Sequence, residues 1–244
     1  MKNVKLTIAY NGTNYSGWQR QSNARTVQGE IERKLRLITK QEIEIHGSGR
    51  TDAGVHALGQ IASFKSNLSI PINRIAFALN NALPLDIVIK SVEEVDMDFH
   101  ARYSAKGKKY IYKIYNDSIR NPMYVNHSYF VNGNIDIKKI RESSKYFIGE
   151  HDFRGFMSSR SNVKNTIRTI YSIDIYKEEN FIILEYKGNG FLYNMVRIIT
   201  GTLLDVALSK INIENLDYII KSRDRRNARH KAPPQGLYLG EVYY

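Results

Sequence analysis

With 244 residues, 42% of them hydrophobic, the chain can bury one large core or two modest ones. Its 36 Lys+Arg against 24 Asp+Glu leave a net charge of +12, which points to a polyanionic partner, either nucleic acid or an anionic membrane surface. Cysteine is absent, which excludes disulfides, thiol nucleophiles and thiolate zinc sites and removes any need for an oxidising compartment.

The N-terminus enters a strand pattern at once, with Val4, Leu6, Ile8 and Tyr10 alternating with Lys5, Thr7 and Ala9. Asn11-Gly12 turns the chain. Val27, Ile31, Leu35 and Ile38 recur at helical spacing, with Thr26 as N-cap and Glu30 in the first turn. Residues 42–45 and 60–64 read as strands on either side of a glycine-rich loop. A helix follows Pro71, with Ile72, Ile75, Ala76 and Leu79 inward, and Ile87 begins another strand.

The second half has a similar rhythm. Residues 108–116, 166–176, 181–186 and 237–243 read as strands, and 137–147 as a helix. Residues 191–208 read as a long helix with Phe191, Met195, Ile198, Thr202 and Val206 toward the core and Tyr193, Arg197 and Leu204 opposite. Arg197 and Asp205 break this apolar run below membrane-spanning length, and no signal peptide precedes the first strand. The expectation is a soluble, cytoplasmic protein of interspersed strands and helices, divided near 104–107 into an N-terminal half, 1–105, and a C-terminal half, 106–244.

Four features bear on chemistry. The loop Gly47-Ser48-Gly49-Arg50-Thr51-Asp52-Ala53-Gly54 sets a carboxylate and an arginine among glycines that let another backbone come close. Taken alone it also reads as a solvated turn. It lacks the Gly-Lys-Ser/Thr of a Walker loop, and Asp52 stands where a dinucleotide fingerprint needs glycine. Arg197 has apolar flanks, and a half-buried arginine there needs a carboxylate partner. Seventeen tyrosines and nine phenylalanines offer rings on which unpaired bases stack, although a Lys/Ile/Asn/Tyr bias of the source genome gives the same composition. The six histidines make no metal-ligand spacing, so no metal is expected. Residues 223–231 carry a run of arginines with His230 and Lys231 that reads as a solvated face and also suits phosphate contacts.

Five ordered segments carry a family resemblance. Gly49-Arg50-Thr51-Asp52-Ala53-Gly54-Val55-His56 resembles the catalytic motif of the tRNA pseudouridine synthase A (TruA) family. Tyr10 to Gln21 with Thr26-Val27-Gln28, and Phe99-His100-Ala101-Arg102 leading to Lys109-Tyr110-Ile111-Tyr112, resemble two more. Gly188 to Arg197, and Ala232-Pro233-Pro234-Gln235-Gly236-Leu237-Tyr238-Leu239, resemble the last two. Gly190, where alanine or serine is common, and the Pro233-Pro234-Gln235 run depart from the pattern.

The resemblance implies two RRM-like α+β halves joined in one continuous antiparallel sheet flanked by helices, with a central basic cleft. It implies a homodimer that binds tRNA without metal or organic cofactor and acts on uridine at positions 38 to 40 of the anticodon stem-loop. By motif, Asp52 is the catalytic carboxylate, Tyr110 stacks on the target base, Arg197 pairs with Asp52, and Arg50 helps hold the flipped nucleotide. A carboxylate could act as a nucleophile or as a base at the sugar C2′, and the sequence leaves both routes open. A non-catalytic RNA-binding module, or a pseudouridine synthase with another RNA target, would carry the same basic charge.

Overall fold

The computed structural model describes residues 1–158 and 163–244. In chain order the elements are β1 (Lys2–Tyr10), α1 (Val27–Thr39), β2 (His46–Gly47), β3 (His56–Ser66), α2 (Ile72–Ala82) and β4 (Ile87–Val95). There follow β5 (Gly107–Asn116), β6 (Tyr129–Val131), α3 (Ile137–Ser144), β7 (Gly149–Asp152), β8 (Ile167–Glu178) and β9 (Phe181–Gly188). The chain continues through α4 (Met195–Ala207), α5 (Leu216–Ser222) and β10 (Leu237–Tyr243). These elements form two compact units, Met1–Lys106 with Tyr238–Tyr244, and Gly107–Leu237. The closing strand groups with the first unit.

In the first unit the strand order is β4-β1-β3-β10, with β2 also paired to β3. The alternation read from β1 is real: Val4, Leu6 and Ile8 are fully buried, and each contributes roughly 1.5–3 kcal/mol by leaving water. The start of α1 is set by Thr26, whose hydroxyl accepts from the Gly29 N–H at 3.3 Å. Val27, Ile31 and Leu35 on one helix stripe are buried, and Lys40 closes α1 in the left-handed region at φ 59°.

One edge of β3 carries β1, and the other is shared. β2 pairs at Ser63 and Ala62, while β10 pairs at His56 and Ala57. The residues 42–45 expected as a strand make no ladder, so the paired segment shrinks to His46–Gly47.

In the second unit β5-β9-β8-β7 form the sheet, and β6 adds to β5. Tyr112, Tyr186, Phe147, Phe153 and Phe156 are fully buried there. The long helix begins at Met195, later than expected, and every one of its residues is buried. It has no solvent face, so the division into core and outer sides does not hold, and Leu204 is as buried as Ile198. Thr200 and Thr202 fit this surround because their hydroxyls donate to the Val196 and Ile198 carbonyls at 2.8 and 3.0 Å. Left unpaired, such a group would cost about 1–3 kcal/mol.

The expected all-antiparallel pairing is corrected at two places. β10 runs parallel to β3, and β6 runs parallel to β5. Neither arrives through a tight hairpin, which would enforce the antiparallel sense: β10 follows the whole second unit, and β6 follows the loop 117–128. Among the described residues no helix is long and apolar enough to cross a membrane.

Candidate active site

The loop 48–55 leaves β2 and returns at His56, over the stretch of β3 edge between its two partners. Gln60, fully buried on β3, anchors the outgoing limb. Its side chain accepts from the Ser48 hydroxyl at 2.7 Å and donates to the Gly49 carbonyl at 2.9 Å. The Ser48 N–H donates to the Ile61 carbonyl at 2.7 Å. At the tip the Thr51 and Tyr10 hydroxyls lie 2.7 Å apart, deep enough that burial pushes the Tyr10 phenol up and keeps it protonated. Behind the tip the Val55 N–H donates to the Asp52 carbonyl at 3.1 Å, with Gly54 at φ 77° making the turn.

A second loop, 11–21, braces the first from the side. The Trp18 N–H donates to the Thr51 carbonyl at 3.1 Å, and the Gly54 N–H donates to the Tyr15 carbonyl at 3.3 Å. The Gly12 N–H reaches His56 Nδ1 at 3.0 Å, which assigns that nitrogen as the acceptor. Glycine is required where the two backbones touch. At Gly17, φ is +91° and a Cβ would lie 2.6 Å from the Thr51 carbonyl oxygen. On the far side β10 contributes Tyr238, stacked on His56 with centroids 4.7 Å apart, its phenol pushed up to about 12 by burial.

Asp52 thus sits half-buried on a loop whose backbone is held at both limbs, and Arg50 lies exposed two residues before it. These two predicted residues share one loop. Tyr10, Trp18, His56 and Gln60 act as its supports, a role the sequence reading did not give them. Their only signal was that three of them fall inside segments of the resemblance.

Tyr110 and Arg197 belong to the second unit. Tyr110 is 8% exposed on β5, opposite Tyr186 of β9 and edge-on to Phe191 at 5.2 Å. Arg197 is 7% exposed in the first turn of α4. Its Nε donates to the Ala232 carbonyl at 2.8 Å and its Nη1 to Asn194 Oδ1 at 2.6 Å, while its own carbonyl accepts from the Ala232 N–H at 3.0 Å.

A cation in the first turn of a helix works against the helix dipole, and this turn contains no acidic side chain. The arginine and the helix end therefore add their fields, and together they favour an anion beyond the guanidinium. The closing motif is tied to β5, where the Tyr112 hydroxyl donates to the Pro233 carbonyl at 2.7 Å. At Gly190 a Cβ would meet Arg168 Nε at 3.6 Å, an ordinary contact, so the alanine or serine of the family pattern would also fit.

The basic run is partly paired within the chain. Arg223 meets Asp152 at 3.0 Å, and Arg226 meets Asp224 at 2.6 Å, holding that carboxyl down near 2. Among the described residues no group of three or more histidine, aspartate or glutamate side chains gathers in a way that could hold a metal ion.

An α+β chain that carries a braced carboxylate–arginine loop and a net charge of +12 has the equipment of an RNA-modifying enzyme. Comparison with known proteins makes this specific. The family described as tRNA pseudouridine synthase matches residues 6–104 and 144–244. A tRNA pseudouridine synthase A from Acetivibrio thermocellus is 50% identical over 244 residues, covering 100% of both chains. A tRNA pseudouridine synthase A 2 from Clostridium tetani is 48% identical, covering 100% of this chain and 99% of that one. A solved archaeal box H/ACA sRNP Nop10-Cbf5 complex aligns with 97% of this chain and 46% of its own at 12% identity and a TM-score of 0.36, too distant to add to the argument. The chain belongs to the tRNA pseudouridine synthase family, a family of isomerases.

Proposed function

We propose that this enzyme converts uridine to pseudouridine at positions 38, 39 and 40 of the tRNA anticodon stem-loop, with Asp52 as its single catalytic carboxylate. The observation that carries the reading is the bracing of the Asp52 loop by Gln60, Tyr10 and the 11–21 loop. That much fixed backbone around one half-buried acid is what positioning at a reacting centre requires.

The reaction breaks the bond between C1′ and N1, turns the base, and joins C1′ to C5. The hydrogen displaced from C5 leaves as a proton, N1, freed from the sugar, takes one up, and no electrons enter or leave. An ionised Asp52 serves either route to this end, attacking the sugar as a nucleophile or removing a proton at C2′.

We assign Arg197 as the cation that keeps Asp52 ionised. Its burial and its place at a helix N-terminus support that role. Arg50, exposed beside Asp52, is assigned to the flipped nucleotide's phosphate. Tyr110 is assigned to stack on the extruded base, an interaction worth roughly 1–3 kcal/mol against the few kcal/mol that flipping costs. The RNA-recognition character expected of each half is supported in the first unit, where β1-α1-β2-β3-α2-β4 fold with β4-β1-β3 adjacent and β2 on the outer side of β3. The homodimer, the basic cleft and a cytoplasmic site of action belong to the same proposal.

The deciding experiment is tritium release from tRNA labelled at uridine C5, with wild type and Asp52→Ala compared alongside tRNA binding. Wild type should release the label, and Asp52→Ala should lose at least about 10²-fold in rate while still binding tRNA. Release by the variant near the wild-type rate would remove Asp52 from the chemistry. A wild type that binds tRNA without releasing label would point to a binding module.

A further inference from the structure

Away from Asp52, the first unit builds a second feature that folding alone does not explain. His46 of β2 and His100 of the loop 96–104 stack with centroids 5.2 Å apart at 24°. Tyr103 continues the stack at 4.4 Å and 39° from His100. The Tyr103 ring is 77% exposed, so its large apolar face gains almost nothing from burial. The Arg102 guanidinium lies 5.7 Å from the centre of that ring.

The stack is built rather than incidental. Ser63 of β3 draws its two sides together: it is the register partner of His46, and its hydroxyl accepts from the Ala101 N–H at 3.0 Å. The loop is pinned further by Asn3, whose amide donates to the Asp96 and Phe99 carbonyls at 2.7 and 2.8 Å. Tyr244 donates to the Ala101 carbonyl at 2.7 Å. Inside the loop His100 Nδ1 accepts from the Arg102 N–H at 3.1 Å, and the His100 N–H donates to the Ser104 hydroxyl at 3.0 Å. A ring presented to solvent on so constrained a loop loses little conformational freedom when something stacks on it.

The charges that act most on His100 are positive, although Asp96 and Asp98 precede it in the same loop. The His100 imidazole is held below its ordinary range, first by burial and then by the positive fields of His46, Arg102 and Lys65. Lys65 and Arg102 are both exposed. An exposed ring with an arginine over it, stacked on a histidine that also feels Lys65, matches one ligand chemistry well: a base with its phosphate.

We infer that the His46–His100–Tyr103 stack is a binding site for an unpaired nucleotide of the RNA substrate, outside the Asp52 loop. The base stacks on the exposed Tyr103 ring, taking the place beside it that Arg102 now shares, and the adjoining phosphates meet Arg102 and Lys65. The inference rests on the RNA-modifying reading above and adds a contact that holds the substrate without touching the reacting nucleotide.

Binding of an unmodified tRNA transcript across a salt series, together with single-turnover tritium release at saturating enzyme, tests it. Tyr103→Ala should weaken binding about tenfold or more, the scale of one lost base–aromatic stack, with single-turnover release at saturation within about twofold of wild type. Tyr103→Phe should bind as wild type does, because it keeps the ring. Arg102→Ala should make the slope of log K against log salt shallower by about 0.7–0.9, one phosphate contact. Both side chains are replaced at exposed positions, so the fold is not at stake. Wild-type affinity in Tyr103→Ala with an unchanged slope in Arg102→Ala would overturn the inference and leave the function standing. A wild type that neither binds nor modifies tRNA would overturn both.

Discussion

Asn194 shows how one residue can serve backbone and site together. It sits at φ 64°, a left-handed conformation that costs most residues about 1–2 kcal/mol and glycine almost nothing. Its side-chain oxygen accepts from Arg197, and its amide donates to the Ser158 hydroxyl at 2.8 Å. The two roles separate by substitution. Asn194→Gly keeps the turn and removes both hydrogen bonds, whereas Asn194→Ala removes them and also strains the backbone. The glycine variant should therefore lower kcat with tRNA affinity little changed, as expected of a positioning residue for Arg197. The alanine variant should show the same loss in kcat and unfold at lower urea, less stable than the glycine variant by about 1 kcal/mol. A glycine variant with wild-type kcat would mean that Arg197 is aimed without help from Asn194.

At the scale of elements, what the sequence revealed depended on whether the signal was local. The helix after Thr26 was legible because a cap and a 3.6-residue stripe agree, and β10 because a short apolar and aromatic run, Leu237-Tyr238-Leu239, follows directly on Pro233-Pro234 and Gly236. The start of α4 was not legible. Phe191 to Asn194 continue the apolar run, and only the left-handed turn at Asn194 ends it. Its sidedness was not legible either, since a helix buried all round leaves periodicity nothing to report. β6, β7 and α5 are short, and their stability comes from partners distant in sequence.

The Asp52 loop was legible as a motif, but the brace from the 11–21 loop was not, because backbone-to-backbone contact leaves no side-chain pattern. That contact can be tested. A Cβ at Gly17 would meet the Thr51 carbonyl oxygen at 2.6 Å and the Asp52 carbonyl carbon at 3.2 Å, both backbone atoms that cannot rotate away. Gly17→Ala should therefore shift the Asp52 loop and lower kcat on the order of 10²-fold for a displacement near 1 Å. The cost in unfolding free energy should be about 1–3 kcal/mol, since a non-glycine residue is held in a strained region. Wild-type turnover in a folded Gly17→Ala would show that the brace does not set the position of Asp52.

For the molecule as a whole, the net charge of +12 governs how tightly RNA is held, and not all of that charge is free to act. Arg223 and Arg226 already meet Asp152 and Asp224, so the basic run contributes fewer phosphate contacts than its arginine count implies. Each phosphate neutralised releases condensed counterions, and the observed binding constant should fall linearly on a log–log plot against salt. About six contacts would cost on the order of 10³ in affinity between about 50 and 200 mM salt. A flat profile would sink the assignment of a polyanionic substrate, whatever the state of Asp52. The same titration separates binding from chemistry. Asp52 is an anion and releases no counterions from RNA, so Asp52→Ala should reproduce the wild-type slope. Its intercept should stay level or rise, because removing a negative charge from the loop lessens repulsion toward phosphate. A slope that changed with Asp52 would mean that the variant docks RNA in a different way, and its loss of tritium release would then report mispositioned substrate in place of a missing catalytic group.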